Sequence, residues 1–159
     1  MKVQSELLDA LPTASRVRRA NRRLWLAPRV PGALALLATG AVHLQQYTRF
    51  YSGIPTIGTL FLLNFAGATA LALALLTPLE RIGGRHGGLL VTAVASAGTA
   101  LAAVAFAFLL ISERTPLFGF QEPGYDPPAI AATRGAEIAT VAFLGLFLAV
   151  RRRHKVSRR

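Results

Sequence analysis

Four polar side chains lie in stretches of sequence that are otherwise apolar, and they are the residues best placed to do chemistry: His43, Asn64, Arg134 and Glu137. Polar groups in an apolar environment are costly, so each of them requires a partner or a function. His43 and Glu137 form a titratable pair, and Arg134 can hold an anion. The set is typical of a pocket that binds a small ligand.

More polar residues gather near the ends of the same stretches. Gln46, Arg49 and Tyr125 are further candidates for contacts with a ligand. The connection that contains Tyr125 also carries the segment LFGF at 117–120. This segment could fold back over the helices as a lid and close the pocket.

A structural role is the alternative interpretation of the same residues. Arg134 and Glu137 are three residues apart, which is a spacing that allows an ion pair on one helix. His43 and Asn64 would then hydrogen-bond between helices, and the network would only fix the register of the helices. Both interpretations are open at the level of sequence.

Several other kinds of site are disfavoured. The chain has no Cys, which excludes disulfides, thiolate metal sites and Cys nucleophiles. Of its three His, only His43 lies in an apolar stretch, so a haem with two His ligands would require an oligomer. No Ser-His-Asp set or phosphate loop is present. The sequence predicts no metal site and leaves any cofactor unknown.

The elements that would position these residues are four apolar stretches of a 159-residue chain that is 53% hydrophobic. Each stretch is long enough to cross a hydrocarbon layer of roughly 30 Å as a helix. They run from about 31 to 47, 55 to 79, 89 to 112 and 129 to 150. The pattern predicts an all-α integral membrane protein with four transmembrane helices in an up-down-up-down bundle. This transmembrane domain would span 30–150, between basic tails at 1–29 and 151–159.

The four polar residues share one layer of this predicted bundle. At 1.5 Å per residue, His43 and Arg134 lie roughly 6 to 10 Å from the nearer ends of their helices. Asn64 and Glu137 lie roughly 13 Å from the ends by the same measure. Three helices therefore direct polar groups to one half of the bilayer, which predicts an outward-facing polar pocket.

The distribution of basic residues predicts the orientation. The formal net charge is +11, and the two tails hold seven and six of the Lys and Arg residues. Cytoplasmic segments of membrane proteins are rich in Lys and Arg, so both termini are expected in the cytoplasm, with the protein in the cell inner membrane. The tails would contact anionic lipid headgroups. No nucleic-acid partner is expected, because the charge flanks apolar spans instead of covering a soluble fold.

Two segments carry a resemblance to a known group of proteins. HLQQYTRFYSGIPTIGTLFLLNFAGA and LFGFQEPGYD, followed by an acidic residue in the last apolar stretch, resemble small four-span membrane proteins of actinobacteria. The resemblance runs from His43 to Glu137 and leaves out the first tail. It implies the same topology but no particular activity.

Two classes of function follow from these features. The first is a non-enzymatic membrane protein, either an accessory subunit of a larger complex or homo-oligomer, or a protein that binds a small ligand. The alternative is a membrane enzyme or redox subunit that acts on a lipid or quinone through His43, Arg134 and Glu137. A proton-coupled transporter ranks last, because the other half of the bilayer would hold only a few Ser and Thr hydroxyls.

Overall fold

The protein is all-helical in residues 27–156, which are the part of the chain that the computed structural model describes. Five α-helices follow one another in this part: α1 (Arg29–Gln46), α2 (Ile57–Leu76), the short α3 (Leu79–Ile82), α4 (Gly87–Ser112) and α5 (Pro127–Val156). A π-helical turn (Tyr47–Tyr51) follows α1, and a 3-10 turn (Gly84–His86) precedes α4. No β-strand occurs between residues 27 and 156, where Leu117 and Phe120 form one isolated bridge.

The four long helices are those that the apolar stretches predict. Proline helps to set where two of them begin: α2 begins two residues after Pro55, and α5 begins at Pro127. A proline is tolerated there because the first turn of a helix has no acceptor for its N–H groups. The helix α5 extends beyond the apolar stretch to Val156, so most of the segment predicted as a C-terminal tail is helical.

Successive long helices run in opposite directions. The side chain of Arg29, at the start of α1, donates a hydrogen bond of 2.6 Å to the carbonyl oxygen of Leu75 near the end of α2. Gln46, at the end of α1, donates one of 3.0 Å to Asp126, just before α5. The bundle therefore has two ends: α1 and α4 begin at the arginine end, named for Arg29, and they terminate at the other end.

Three of the helical segments are long and apolar enough to cross a membrane: Ile57–Leu76, Gly84–Ser112 and Pro127–Arg153. The helix α1 has 18 residues but begins with Arg29 and ends with polar side chains. Large apolar side chains point outward along the other three helices, for example Leu63, Leu73 and Leu146, each more than half exposed. A lipid environment would accommodate such surfaces, which water does not.

Small residues allow the helices to pack tightly at the arginine end. A Cβ on Gly32 would lie 2.5 Å from a methyl carbon of Leu144, so glycine lets α1 approach α5 here without displacing the Leu144 side chain. The buried core lies in this half and consists of Ala33, Leu36, Ala68, Ala72, Leu75, Val91, Ala95, Leu144 and Phe147. Four of these nine are alanines, which let the helix backbones come close together.

Arg29 corrects one boundary of the predicted domains. The sequence assigns it to the basic tail, but it is helical and only 3% exposed. Its guanidinium donates hydrogen bonds to the carbonyl oxygens of Leu75 and Thr77 and to the Glu80 carboxylate, 2.8 Å away. The last turn of a helix leaves carbonyl groups without partners, and Arg29 provides one for Leu75. The rest of the predicted tail, 1–26, lies outside the described residues.

Candidate functional site

A cavity of about 220 Å³ lies in the half of the bundle that the small residues do not fill. All four long helices and the connection between α4 and α5 contribute to it. Its polar lining residues are His43, Gln46, Tyr51, Asn64, Ser112, Glu122, Thr133 and Glu137. The remainder of its wall is apolar, and includes Phe61, Phe108, Leu117 and Phe120. We call this space the polar cavity, and its end of the bundle the cavity end.

Glu137 is the most unusual residue of the polar cavity. Its side chain is fully buried, and neither carboxyl oxygen has a hydrogen-bond partner among the described residues. Asn64 faces the cavity from α2, is 7% exposed, and its side-chain oxygen also lacks a partner. Buried polar groups in folded proteins nearly always have partners, so two unpartnered groups in one cavity indicate a site for a missing partner.

His43 presents one side of its ring to the polar cavity. Its Nδ1 donates a hydrogen bond of 2.9 Å to the carbonyl oxygen of Thr39 one turn earlier in α1. A carbonyl oxygen only accepts, so Nδ1 carries the proton and the Nε2 of a neutral ring is an acceptor. The ring packs 5.1 Å from Phe61, centre to centre, which fixes its position. The expected hydrogen bond between His43 and another helix is therefore not formed at Nδ1.

Arg134 does not belong to the lining of the polar cavity. Its guanidinium forms an ion pair with Glu113, at the end of α4, instead of the intrahelical pair with Glu137 that the spacing allows. Glu137 is thereby left without an ionic partner among residues 27–156. The interpretation in which Arg134 and Glu137 neutralise each other is wrong on this point.

The three additional candidates divide between the cavity and its rim. Gln46 lines the polar cavity, and its amide group donates to Asp126. Arg49 is largely exposed, with its guanidinium 4.0 Å from the Asp126 carboxylate. Tyr125 is 55% exposed and stacks on Phe50 with ring centres 5.7 Å apart. Arg49 and Tyr125 therefore lie outside the lining.

Tyr51 and Glu122 also line the polar cavity, and the sequence interpretation did not include them among the candidate ligand contacts. The Tyr51 hydroxyl donates a hydrogen bond to the Glu122 carboxylate, across two different connections. Burial and this neighbouring carboxylate raise the pKa of the Tyr51 hydroxyl well above its usual value, so it remains a donor at all ordinary pH. Its ring stacks on Phe61 at 4.4 Å.

Gly58 is what permits this placement of Tyr51. A Cβ on Gly58 would lie 2.5 Å from the carbonyl oxygen of Tyr51, so any other residue would push the two segments apart. The preceding Thr56 has a positive φ of 66°, which marks the sharp entry into α2. In the sequence, the only sign of this contact between Tyr51 and α2 is a glycine in the first turn of an apolar helix.

The connection between α4 and α5 folds over the polar cavity. Within its LFGF segment, Leu117 and Phe120 exchange backbone hydrogen bonds of 2.7 and 3.0 Å, and both side chains line the cavity. The backbone N–H of Glu122 donates to the carbonyl oxygen of Ser112, which ties the connection to the end of α4. The lid-like position suggested by the sequence is what the structure has.

Comparisons with protein-family models, with curated proteins and with solved structures gave no match. The resemblance to small four-span proteins of actinobacteria therefore stays a prediction. What the protein does is inferred from the polar cavity itself.

Proposed function

We propose that this protein binds a small ligand in the polar cavity and is a four-span protein of the cell inner membrane. Its termini lie in the cytoplasm and the cavity end faces outward. Lys and Arg residues concentrated in the tails support this orientation.

The helix α1 supports a fourth crossing. At 1.5 Å per residue its 18 residues extend over about 27 Å, close to the thickness of a hydrocarbon layer. It lies antiparallel to α2, and Arg29 at one end and Gln46 at the other contact the ends of its neighbours. Its polar residues at both ends would then lie at the two membrane surfaces.

The observation that carries ligand binding is the buried, unpartnered carboxyl group of Glu137. An accessory subunit would be served equally well by a filled interior, such as the one at the arginine end. A cavity with an unpartnered carboxyl group is instead costly to the free protein and is explained by a molecule that occupies it. Ligand binding is therefore favoured over a purely structural role.

A pair of matched variants tests this proposal. Ala105 lines the polar cavity from α4, whereas Ala107, two residues later, is exposed and does not line it. Ala105→Phe should fill the cavity, and Ala107→Phe should add the same side chain to the outer surface. The full-length protein is extracted in a mild detergent and analysed by native mass spectrometry.

A small molecule should remain bound to the wild type and to Ala107→Phe and be lost from Ala105→Phe. A molecule retained equally by all three proteins would place its binding elsewhere, and a wild type without any bound molecule would argue against the proposal. If the bound molecule is a quinone, the protein is better described by the alternative function, a redox subunit that acts on a quinone.

A further inference from the structure

The polar-cavity side-chain atoms that are shielded from solvent and lack a hydrogen-bond partner are all oxygens. Both carboxyl oxygens of Glu137 and the side-chain oxygen of Asn64 lack a hydrogen-bond partner within residues 27–156. Each of them accepts hydrogen bonds when Glu137 is ionised, and so does the Nε2 of a neutral His43. A ligand that satisfies these shielded oxygens therefore brings several hydrogen-bond donors.

The charges of the polar cavity have one sign. Glu122 and Glu137 line it, and no Lys or Arg is among its lining residues. The nearest arginine on α5, Arg134, is paired with Glu113. The cavity is thus acidic in a protein whose net charge is +11, because the basic residues lie mainly in the tails.

Aromatic rings make up much of the remaining wall. Tyr51, Phe61, Phe108 and Phe120 line the polar cavity. Tyr51 meets the ring of Phe120 edge-on, with centres 5.7 Å apart. The faces of such rings carry partial negative charge and attract ammonium groups, and cages of this kind recognise organic cations.

One wall of the polar cavity is continuous with the outer surface of the bundle. Leu63 on α2 and Val104 on α4 line the cavity, yet they are 62% and 51% exposed. Closer to the arginine end, α2 and α4 approach each other where Gly67 faces Leu101, so the gap does not continue along the whole bundle. An apolar chain lying between α2 and α4 at the cavity end would contact only apolar side chains.

From these observations we infer that the ligand, whose binding is the proposed function above, is a cationic amphiphile. Its ammonium head donates hydrogen bonds to Glu137 and Asn64, beside the aromatic rings. Its apolar tail leaves between α2 and α4 toward the lipid. A phosphate or carboxylate head would bring further acceptors and negative charge to an acidic site. A quinone also has only acceptors, and would need Glu137 as a proton donor.

The test uses the full-length protein in nanodiscs of phosphatidylcholine at pH 7, where a long-chain amine is protonated. Radiolabelled dodecylamine is compared with labelled dodecanol, which has the same tail without the charge, and with a labelled decyl benzoquinone. Binding is the label retained by protein-loaded discs in excess of empty discs. Each probe is measured with the wild type, Glu137→Gln, Glu137→Asp and Glu80→Gln, and folding is monitored by circular dichroism.

Glu80→Gln is the matched control, because it removes one negative charge at the arginine end and leaves the polar cavity intact. Dodecylamine should bind saturably to the wild type and to Glu80→Gln, with an affinity at least about tenfold higher than that of dodecanol. Glu137→Gln should lower the affinity for dodecylamine to that for dodecanol. Glu137→Asp keeps the charge but places it on a shorter side chain. Its affinity for dodecylamine should lie between those of the wild type and Glu137→Gln.

The other outcomes separate the two proposals. If dodecanol or the quinone binds as tightly as the amine, or if Glu137→Gln and Glu80→Gln bind the amine equally, the cationic ligand is wrong and ligand binding itself stands. If the wild type binds none of the three probes and retains no molecule on purification, ligand binding is wrong and the cationic ligand is wrong with it.

Discussion

Tyr51 donates a hydrogen bond to Glu122 at the polar cavity, joining the turn after α1 to the connection before α5. Glu122 also accepts from the backbone N–H of Gly124 at 2.8 Å and is thereby held in place. The ring of Tyr51 also contacts the rings of Phe120 and Tyr125 on this connection. We expect this bond to restrain movement of the connection away from the cavity.

Removing the Tyr51 hydroxyl should loosen the connection. Tyr51→Phe keeps the stacking on Phe61 but loses a hydrogen bond to a charged group, which contributes about 1.5–3 kcal/mol. Local opening should become about tenfold more frequent or more. Hydrogen–deuterium exchange of peptides covering 113–126 measures this change.

The control is Tyr125→Phe. The Tyr125 hydroxyl makes no hydrogen bond in the part of the chain that the structure describes, and the ring is 55% exposed. Its loss should leave exchange of the connection nearly unchanged. Equal exchange in wild type and Tyr51→Phe would show that packing alone closes the cavity.

Arg29 should be the most sensitive residue of the arginine end. It is buried and joins the end of α2 to Glu80 through three acceptors. Arg29→Met should lower stability by at least about 1.5–3 kcal/mol, the value of one hydrogen bond to a charged group. Arg29→Lys should retain only part of the lost stability, since an ammonium group cannot reproduce the several fixed donors of the planar guanidinium.

Thermal unfolding in detergent measures these changes. Arg81→Met serves as the control, because Arg81 is exposed near the same end of the bundle, and it should leave the melting temperature close to that of the wild type. If Arg29→Met and Arg81→Met both have the melting temperature of the wild type, the contacts of Arg29 contribute no stability.

The proposed topology can be tested by introducing single cysteines, since the chain has none of its own. Ser52 and Thr115 are exposed at the cavity end, and cysteines there should react with an impermeant thiol reagent in intact cells. Cysteines at Ser5 and Ser157 should react only after the cells are opened. Labelling at Ser157 in intact cells would contradict the four-span topology.

The helices and the contents of the cavity differ in how well sequence predicts them. The apolar stretches and prolines predicted the four long helices, because helix formation depends on local sequence and on a continuous apolar run. One layer was predicted for His43, Asn64, Arg134 and Glu137, since depth follows from position along each helix. His43, Asn64 and Glu137 line one cavity, and Arg134 does not.

Partner choice was not predictable in the same way. Arg134 on α5 pairs with Glu113, at the start of the connection that follows α4. Tyr51, in the turn after α1, pairs with Glu122 in the same connection. The path of that connection is set by packing between residues far apart in sequence. Spacing along one helix therefore suggested Glu137 as the partner of Arg134, whereas Glu113, brought close by the packing of α4 against α5, is the partner that the structure has.

The final prediction concerns the stability of the ligand-free protein and decides between a structural and a binding role for Glu137. A structural carboxyl group stabilises the fold through partners, so its removal is destabilising. Glu137 has no hydrogen-bond partner within residues 27–156, and burial of an unsatisfied polar group costs about 1–3 kcal/mol. Glu137→Leu should therefore raise the melting temperature, and Glu137→Gln, which removes the charge but keeps a polar group, should leave it equal or slightly higher.

Glu113→Gln provides the contrast, because it removes one carboxylate from an ion pair at the same end of the bundle. The side chains of Arg134 and Glu113 are 39% and 28% exposed, so solvent screens the pair and the loss should be about 1 kcal/mol or less. The signs of the two changes are therefore opposite: Glu113→Gln lowers the melting temperature, and Glu137→Leu raises it. Differential scanning fluorimetry of protein freed of copurifying molecules measures both. A lower melting temperature for Glu137→Leu would mean that the carboxyl group holds the helices together, and the binding role would then lose its main support.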